Sequence, residues 1–207
     1  MVYKNFFLRS ILSIFLAILY FSITIINFNF VFYLILIIYI AIIIEVLYFF
    51  KNYRLAPLVY ILLSFIFFLI IDFDNKYKFS FHLYIFTVVF FDTFSYIIGK
   101  SIGTNKLIYI SPNKTVEGLI GGFVASLILS IVFATFLNFN ISLELLFFII
   151  TIIFCALLGD LIESYFKRKN NLKNSSNLIP GHGGVFDRFD SFLFSIIFYS
   201  ISINLFI

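Results

Sequence analysis

The stretch "GDLIESYFKRKNNLKNSSNLIPGHGGVFDRFDS", Gly159 to Ser191, breaks into a chain that is otherwise rich in Phe, Ile and Leu. It gathers three aspartates, one glutamate, five basic residues and a histidine between two long apolar runs. Such a stretch reads as a polar connection between helices that lie in lipid. The whole composition agrees. The chain is 63% hydrophobic and 12% charged, with a mean hydropathy of +1.14. A soluble domain carries about 25% charged residues. This chain cannot cover its surface with polar groups, so the bilayer is its solvent. Nothing in the composition suggests a nucleic-acid partner. The single cysteine, Cys155, lies in an apolar run, which excludes a disulfide within the chain and argues against a cysteine metal site.

Working outward, a spanning helix needs about 20 mainly apolar residues. Seven segments qualify, at 6–26, 28–50, 56–72, 81–99, 115–137, 142–166 and 191–207. The expected fold is therefore all-α, a polytopic membrane protein of about seven transmembrane helices. The joint "NFNF" at 27–30 is short enough to make the first two spans a helical hairpin. Lys4 and Arg9 precede the first span as they would in a signal peptide. No small-x-small cleavage site follows, and another span comes at once, so the helix is expected to be retained. Basic residues favour the cytoplasmic side. With the N-terminus inside, 12 of the 14 Lys and Arg residues fall on that side, and only Lys76 and Lys78 fall outside. The loops 99–115 and 167–190 are then both cytoplasmic. Residues 1–80 form an N-terminal hydrophobic region of about three spans. Residues 81–207 carry the polar chemistry.

Ionisable residues within a span are costly and suggest function. Asp92 lies well inside the fourth span, with Ser95, Tyr96 and Gly99 on its face. Asp160 and Glu163 lie near the cytoplasmic end of the sixth. Asp160, Ser164, Lys167 and Arg168 follow at i, i+4, i+7 and i+8, a stripe from carboxylate through hydroxyl to two cations. The plainer reading of the cations is headgroup anchoring. Beyond them, Lys173, His182, Gly183, Gly184 and Arg188 surround a turn at Pro180 and Gly181. Successive N–H groups there could form an anion-binding concavity. Asp187 and Asp190 share a face as the last helix begins, although one aspartate there could equally be a cap. In the other loop, Ser111 before Pro112 reads as an N-cap with a first-turn proline. Lys114, Thr115 and Glu117 follow, at a helix start able to receive a phosphate. Gly118 and Gly122 read as a helix-packing pair. Carboxylates, cations and a glycine-rich loop at a membrane surface suit phosphoryl or nucleotidyl transfer, which rests on positioning and charge stabilisation.

The segment "SYFKRKNNLKNSSNLIPGHGGVFDRFD", Ser164 to Asp190, resembles the signature of the phosphatidate cytidylyltransferases, also called CDP-diacylglycerol synthases. "DTFSYIIGKSIG" from Asp92 and "SPNKTVEG" from Ser111 are similar to further stretches of that family. The resemblance covers about Asp92 to Ser191. It implies transfer of the cytidylyl group of CTP to phosphatidate, with release of pyrophosphate, in phospholipid biosynthesis. It implies Mg²⁺ as cofactor, with a second metal ion left open, held by Asp160, Asp187 and Asp190. Lys167, Arg168 and Arg188 would hold phosphates. Ser164, Lys173, the His182–Gly184 loop, Asp92 and the Ser111–Glu117 segment would shape the substrate site. The expected setting is the bacterial plasma membrane, with the site facing the cytoplasm; a homodimer is left open.

The chain departs from the family pattern at Lys173-Asn174, where the signature has Lys-Asp. It is also shorter at the N-terminus than many members. Two alternatives differ in what they would release. A CTP-dependent membrane nucleotidyltransferase or kinase could use another lipid acceptor. A transporter, using Asp92 and Asp160 as an ion path, would move substrate and release no pyrophosphate.

Overall fold

In lipid, backbone N–H and C=O groups must be satisfied within the protein, and helices do this locally. The computed structural model describes residues 16–108, 111–178 and 183–203. Seven helices lie among them: α1 (Leu16–Ile26), α2 (Phe30–Phe49), α3 (Leu55–Ile70), α4 (Lys78–Ile102), α5 (Val116–Phe136), α6 (Leu143–Lys169) and α7 (Phe186–Ser202). The chain is an all-α polytopic membrane protein. The helices α2, α5 and α6, together with α4 and the short 3₁₀ turn before it, are each long and apolar enough to cross a bilayer. The expected hairpin at 27–30 is present, with α1 and α2 joined by three residues.

The helices are apolar on nearly every face because they meet lipid on one side and protein on the other. On α2, Val31, Ile35, Tyr39, Ile42 and Val46 are buried while Ile37, Ile40 and Ile44 are exposed. Serine and tyrosine hydroxyls tie the interior together. The Ser64 hydroxyl of α3 donates to the Leu193 carbonyl of α7 at 2.6 Å and accepts from Tyr39 of α2 at 2.6 Å. Tyr84 of α4 donates to the Phe192 carbonyl and stacks on Tyr199 at 4.7 Å. Such interhelical hydrogen bonds locate helices where hydrophobicity alone cannot. Gly118 and Gly122 of α5 lie directly against the Ser95 and Gly99 backbone of α4, as the small-xxx-small spacing predicts.

Three boundaries differ from the sequence expectation. The loop at 99–115 contains a β-hairpin, with β1 (Lys106–Ile108) antiparallel to β2 (Ser111–Thr115). Ser111 is therefore in a strand and does not cap α5. Thr115 does, its Oγ1 accepting the Gly118 N–H at 3.1 Å. The proline signal is overridden because residues 111–115 find backbone partners in β1, and Pro112 is tolerated in so short an edge strand. Second, α6 continues to Lys169, so Lys167, Arg168 and Lys169 are helical rather than part of the loop. Third, α7 begins at Phe186 rather than 191 and takes Asp187 and Asp190 into its first turns.

Candidate active site

The site forms where the C-terminal end of α6, the N-terminal end of α7 and the β-hairpin meet. Lys167 stands between two carboxylates. Its Nζ lies 2.5 Å from Glu163 Oε2, one helical turn back, and 2.7 Å from Asp187 Oδ1 on α7. Glu163 is fully buried. A buried carboxylate is tolerable only when paired, and Lys167 pairs it.

Asp187 anchors the loop that leads into α7. Its second oxygen, Oδ2, accepts the Ser175 and Gly184 N–H groups, both at 2.9 Å. Its own N–H donates to Ser175 Oγ at 3.3 Å. Gly183 has φ +88°, a left-handed conformation that side chains resist, and a Cβ there would lie 2.5 Å from Asp187 Oδ2. The glycines therefore let the loop backbone close onto this carboxylate.

The hairpin contributes Lys114, which is ion-paired with Asp160 of α6; each side chain is about a quarter exposed. The two polar stretches of the sequence thus meet in space. Asp190 follows one turn after Asp187, beside the α6 contact where Gly159 packs against the Asp190 carbonyl. It lies within range of the charges of Asp160, Glu163 and Asp92. Ser191 serves two of these acids: its N–H donates to Asp190 Oδ1 at 2.8 Å and its hydroxyl to Asp92 Oδ1 at 2.9 Å. Asp92 of α4 and Asp190 of α7 thereby meet at Ser191, within range of the charge of Asp160 on α6.

The remaining expected residues divide. Ser164 is buried on α6 beside this cluster. Arg168 is exposed and donates to the Leu172 carbonyl at 3.1 Å, closing the end of α6. Lys173 and Arg188 lie at the surface. Glu117 faces the hairpin, accepting from the Thr104 hydroxyl and the Asn105 side chain, both at 2.8 Å, and from the Asn105 N–H at 3.2 Å. Thr115 is engaged as the α5 cap. Both side chains hold local structure. His182 lies outside the described residues.

Asp160, Asp187 and Asp190, expected to share a metal, are not drawn into one ligand set. Among the described residues no three Asp, Glu, His or Cys side chains are placed to hold an ion together. Asp187 has an ammonium on one oxygen and two N–H groups on the other. It could offer an oxygen to a metal only by releasing Lys167.

One residue of the site was missed in the sequence. Glu45 of α2 is fully buried. Its Oε2 accepts the Val185 N–H at 2.7 Å and the Phe186 N–H at 3.3 Å. These are donors that the first turn of α7 cannot satisfy itself, and a negative charge there is favoured by the helix dipole. Its other oxygen faces Gly184 and Ser175. The signal was present: Glu45 is a carboxylate inside a span, subject to the same rule that singled out Asp92.

A sequence profile described as the cytidylyltransferase family matches residues 3–206. Among named relatives, a phosphatidate cytidylyltransferase of Staphylococcus saprophyticus is 53% identical over 116 residues. Those of Staphylococcus haemolyticus and Staphylococcus aureus are 52% and 47% identical over 116 and 115 residues. Each match covers 54% of this chain and 44% of the relative, so the chain matches less than half the length of these proteins.

Proposed function

The chain belongs to the cytidylyltransferase family, and on that footing we propose that it is a phosphatidate cytidylyltransferase. A phosphate oxygen of phosphatidate attacks the α-phosphorus of CTP, the bond to the β-phosphate breaks, and CDP-diacylglycerol and pyrophosphate form. The lipid supplies the nucleophile, so no protein nucleophile is required. The observation that carries this reading is the meeting of the two motif-bearing segments, through Lys114 on Asp160 and Lys167 between Glu163 and Asp187. Lysines positioned by carboxylates are suited to place phosphate oxygens and stabilise charge on the departing pyrophosphate.

Mg²⁺ fits the chemistry of the donor set. Asp160 and Asp190 are hard oxygen donors on neighbouring helices, and the charge of Asp190 is opposed by those of Asp160, Glu163 and Asp92. Mg²⁺ is usually held by one or two carboxylates together with substrate phosphates. Asp160 and Asp190, with Asp92 nearby, would hold it, and it would offset triphosphate charge when bound. Asp187 keeps Lys167 and the backbone at Ser175 and Gly184 in place. Arg168, Arg188 and Lys173 lie at the rim, where incoming phosphates first meet the protein. The asymmetry of basic residues supports a site on the cytoplasmic side of a bacterial plasma membrane.

Pyrophosphate release by purified protein in detergent tests the reading. It is expected to require phosphatidate, CTP and Mg²⁺, to fail with ATP, and to be lost in Asp160→Ala. Release with another lipid acceptor but not with phosphatidate would keep the nucleotide half of the proposal and replace the lipid half. No release with any acceptor from folded protein would overturn it.

A further inference from the structure

The α2–α3 connection holds an open groove of about 800 Å³, lined at one end by Lys51, Tyr53 and Arg54 and along its length by Leu55, Val59 and Leu63. Lys51 and Arg54 are exposed, and among the described residues neither side chain pairs with a carboxylate. Two cations that meet an apolar wall suit a lipid with an anionic head. Bare headgroup anchoring would place the same cations here, but two further features point to a bound ligand.

The first is Tyr60, which also lines the groove. It is 9% exposed, and its hydroxyl is buried with no hydrogen-bond partner. A buried hydroxyl left unpaired is costly, and an oxygen of a ligand drawn in beside Tyr60 would supply the acceptor it lacks. The second is the groove's attachment to the acid cluster. The Tyr60 ring packs on Phe166, next to Lys167, and its hydroxyl lies within range of the charges of Asp190 and Glu163. The backbone of the connection is fixed to the end of α6, with the Asn52 and Tyr53 N–H groups donating to Asn170 Oδ1 at 3.2 and 3.0 Å. Lys169 Nζ sits 5.8 Å from the centre of the Tyr53 ring and adds a third cation at the rim. Tyr60 is therefore the wall shared by the groove and the site.

We propose that this groove binds the acceptor lipid, a glycerophospholipid with a phosphate monoester head. The head lies between Lys51 and Arg54, within reach of Tyr60, and an acyl chain runs along Leu55, Val59 and Leu63. The inference rests on the reading of the chain as a lipid cytidylyltransferase, since it names where that reaction's lipid enters.

The test is a Lys51→Gln/Arg54→Gln double variant and a Val59→Trp variant, in nanodiscs of phosphatidylcholine doped with phosphatidate. Fluorescent phosphatidate binding is read directly, beside pyrophosphate release as phosphatidate and CTP are varied separately. The double variant is expected to weaken phosphatidate binding and raise its half-saturating fraction about tenfold or more by removing two charge-assisted contacts, leaving half-saturation by CTP unchanged. Val59→Trp is expected to do the same by blocking the chain path. Inorganic phosphate is expected not to compete, because it lacks the apolar part. Wild-type phosphatidate binding and half-saturation in both folded variants would overturn the groove while leaving the reaction standing. An equal loss for CTP would overturn it too, by showing general damage. If the wild type binds phosphatidate through these residues but releases no pyrophosphate, the groove survives and the proposed reaction fails.

Discussion

Replacing Glu45 with leucine is expected to loosen the start of α7 and lower turnover, although Glu45 lies on a helix that carries none of the family motif. Its Oε2 is the acceptor for the Val185 and Phe186 N–H groups. Leucine fills similar space but leaves both donors without a partner in the interior. A buried unsatisfied donor costs about 1–3 kcal/mol, so the two together cost about 2–6 kcal/mol. Removing a buried carboxylate also recovers part of its desolvation penalty, which is several kcal/mol for an ion. The net loss falls near the lower end, about 2 kcal/mol. Glu45→Gln keeps an amide oxygen for both donors and is expected to retain more stability and activity. The assays are thermal unfolding in detergent, hydrogen exchange across 183–188 and pyrophosphate release. Glu45→Leu should unfold at lower temperature, exchange faster in that segment and lose turnover about tenfold or more, one decade being about 1.4 kcal/mol of transition-state stabilisation. Gln should restore part of each. A leucine variant with wild-type exchange and turnover would refute the assignment, because the two hydrogen bonds would then hold nothing that catalysis needs.

Lys114→Met is expected to reduce turnover strongly by removing the cation that pairs with Asp160 and would pass to the triphosphate; a double-mutant cycle with Asp160→Asn measures the coupling, and purely additive losses would deny it. Asp187→Asn is expected to abolish turnover and destabilise the protein by about 3–5 kcal/mol, as breaking a buried pair does, and a normal melting curve would contradict the anchoring role. Gly184→Ala is expected to lower the melting temperature, because a Cβ there would run into Glu45 Oε1 and Ser175 Oγ; unchanged melting would show that the loop can move aside. Asn174→Asp, which restores the family residue, is expected to be tolerated at this exposed position, and an inactive variant would show that the loop has repacked around the amide.

The helices were legible because lipid imposes one strong rule, a long apolar run for each crossing; four of the described helices meet it in full, while α3 and α7, at 16 and 17 residues, fall short of the length expected for a span. Their ends were less legible. The start of α7 is set by Glu45, which is 140 residues away from Val185 in sequence, and no local signal at Phe186 reports it. Likewise Pro112 resembles a helix start, and only the presence of β1 decides that residues 111–115 pair as a strand. The acids and lysines of the site were legible one by one, from their cost in a membrane. Their partners were not. Spacing along α6 placed Lys167 beneath Asp160 on one stripe, but the structure turns Lys167 toward Glu163 and Asp187 and supplies Asp160 with Lys114 from the hairpin.

That exchange of partners bears on how the site works. Had Lys167 neutralised Asp160, the acid nearest the converging Asp92 and Asp190 would have been tied up from within its own helix. Instead the cation on Asp160 comes from a separate segment, the β-hairpin, and the two side chains are only partly buried. A partly exposed ion pair is weaker than a buried one and is open to exchange with solvent ions and ligands. The Lys167 pairs are the less exposed, with side-chain exposures of 13% for Lys167, 0% for Glu163 and 10% for Asp187. The site therefore combines a fixed element, Glu163–Lys167–Asp187, which braces α6 against α7, with a replaceable one. An incoming triphosphate could draw Lys114 away and leave Asp160 free to share a cation with Asp190. On this reasoning Lys114→Met should lower turnover without lowering the melting temperature, whereas Lys167→Met should lower both. A Lys114 variant that melts early would place the hairpin contact among the supports of the fold and remove the argument for exchange.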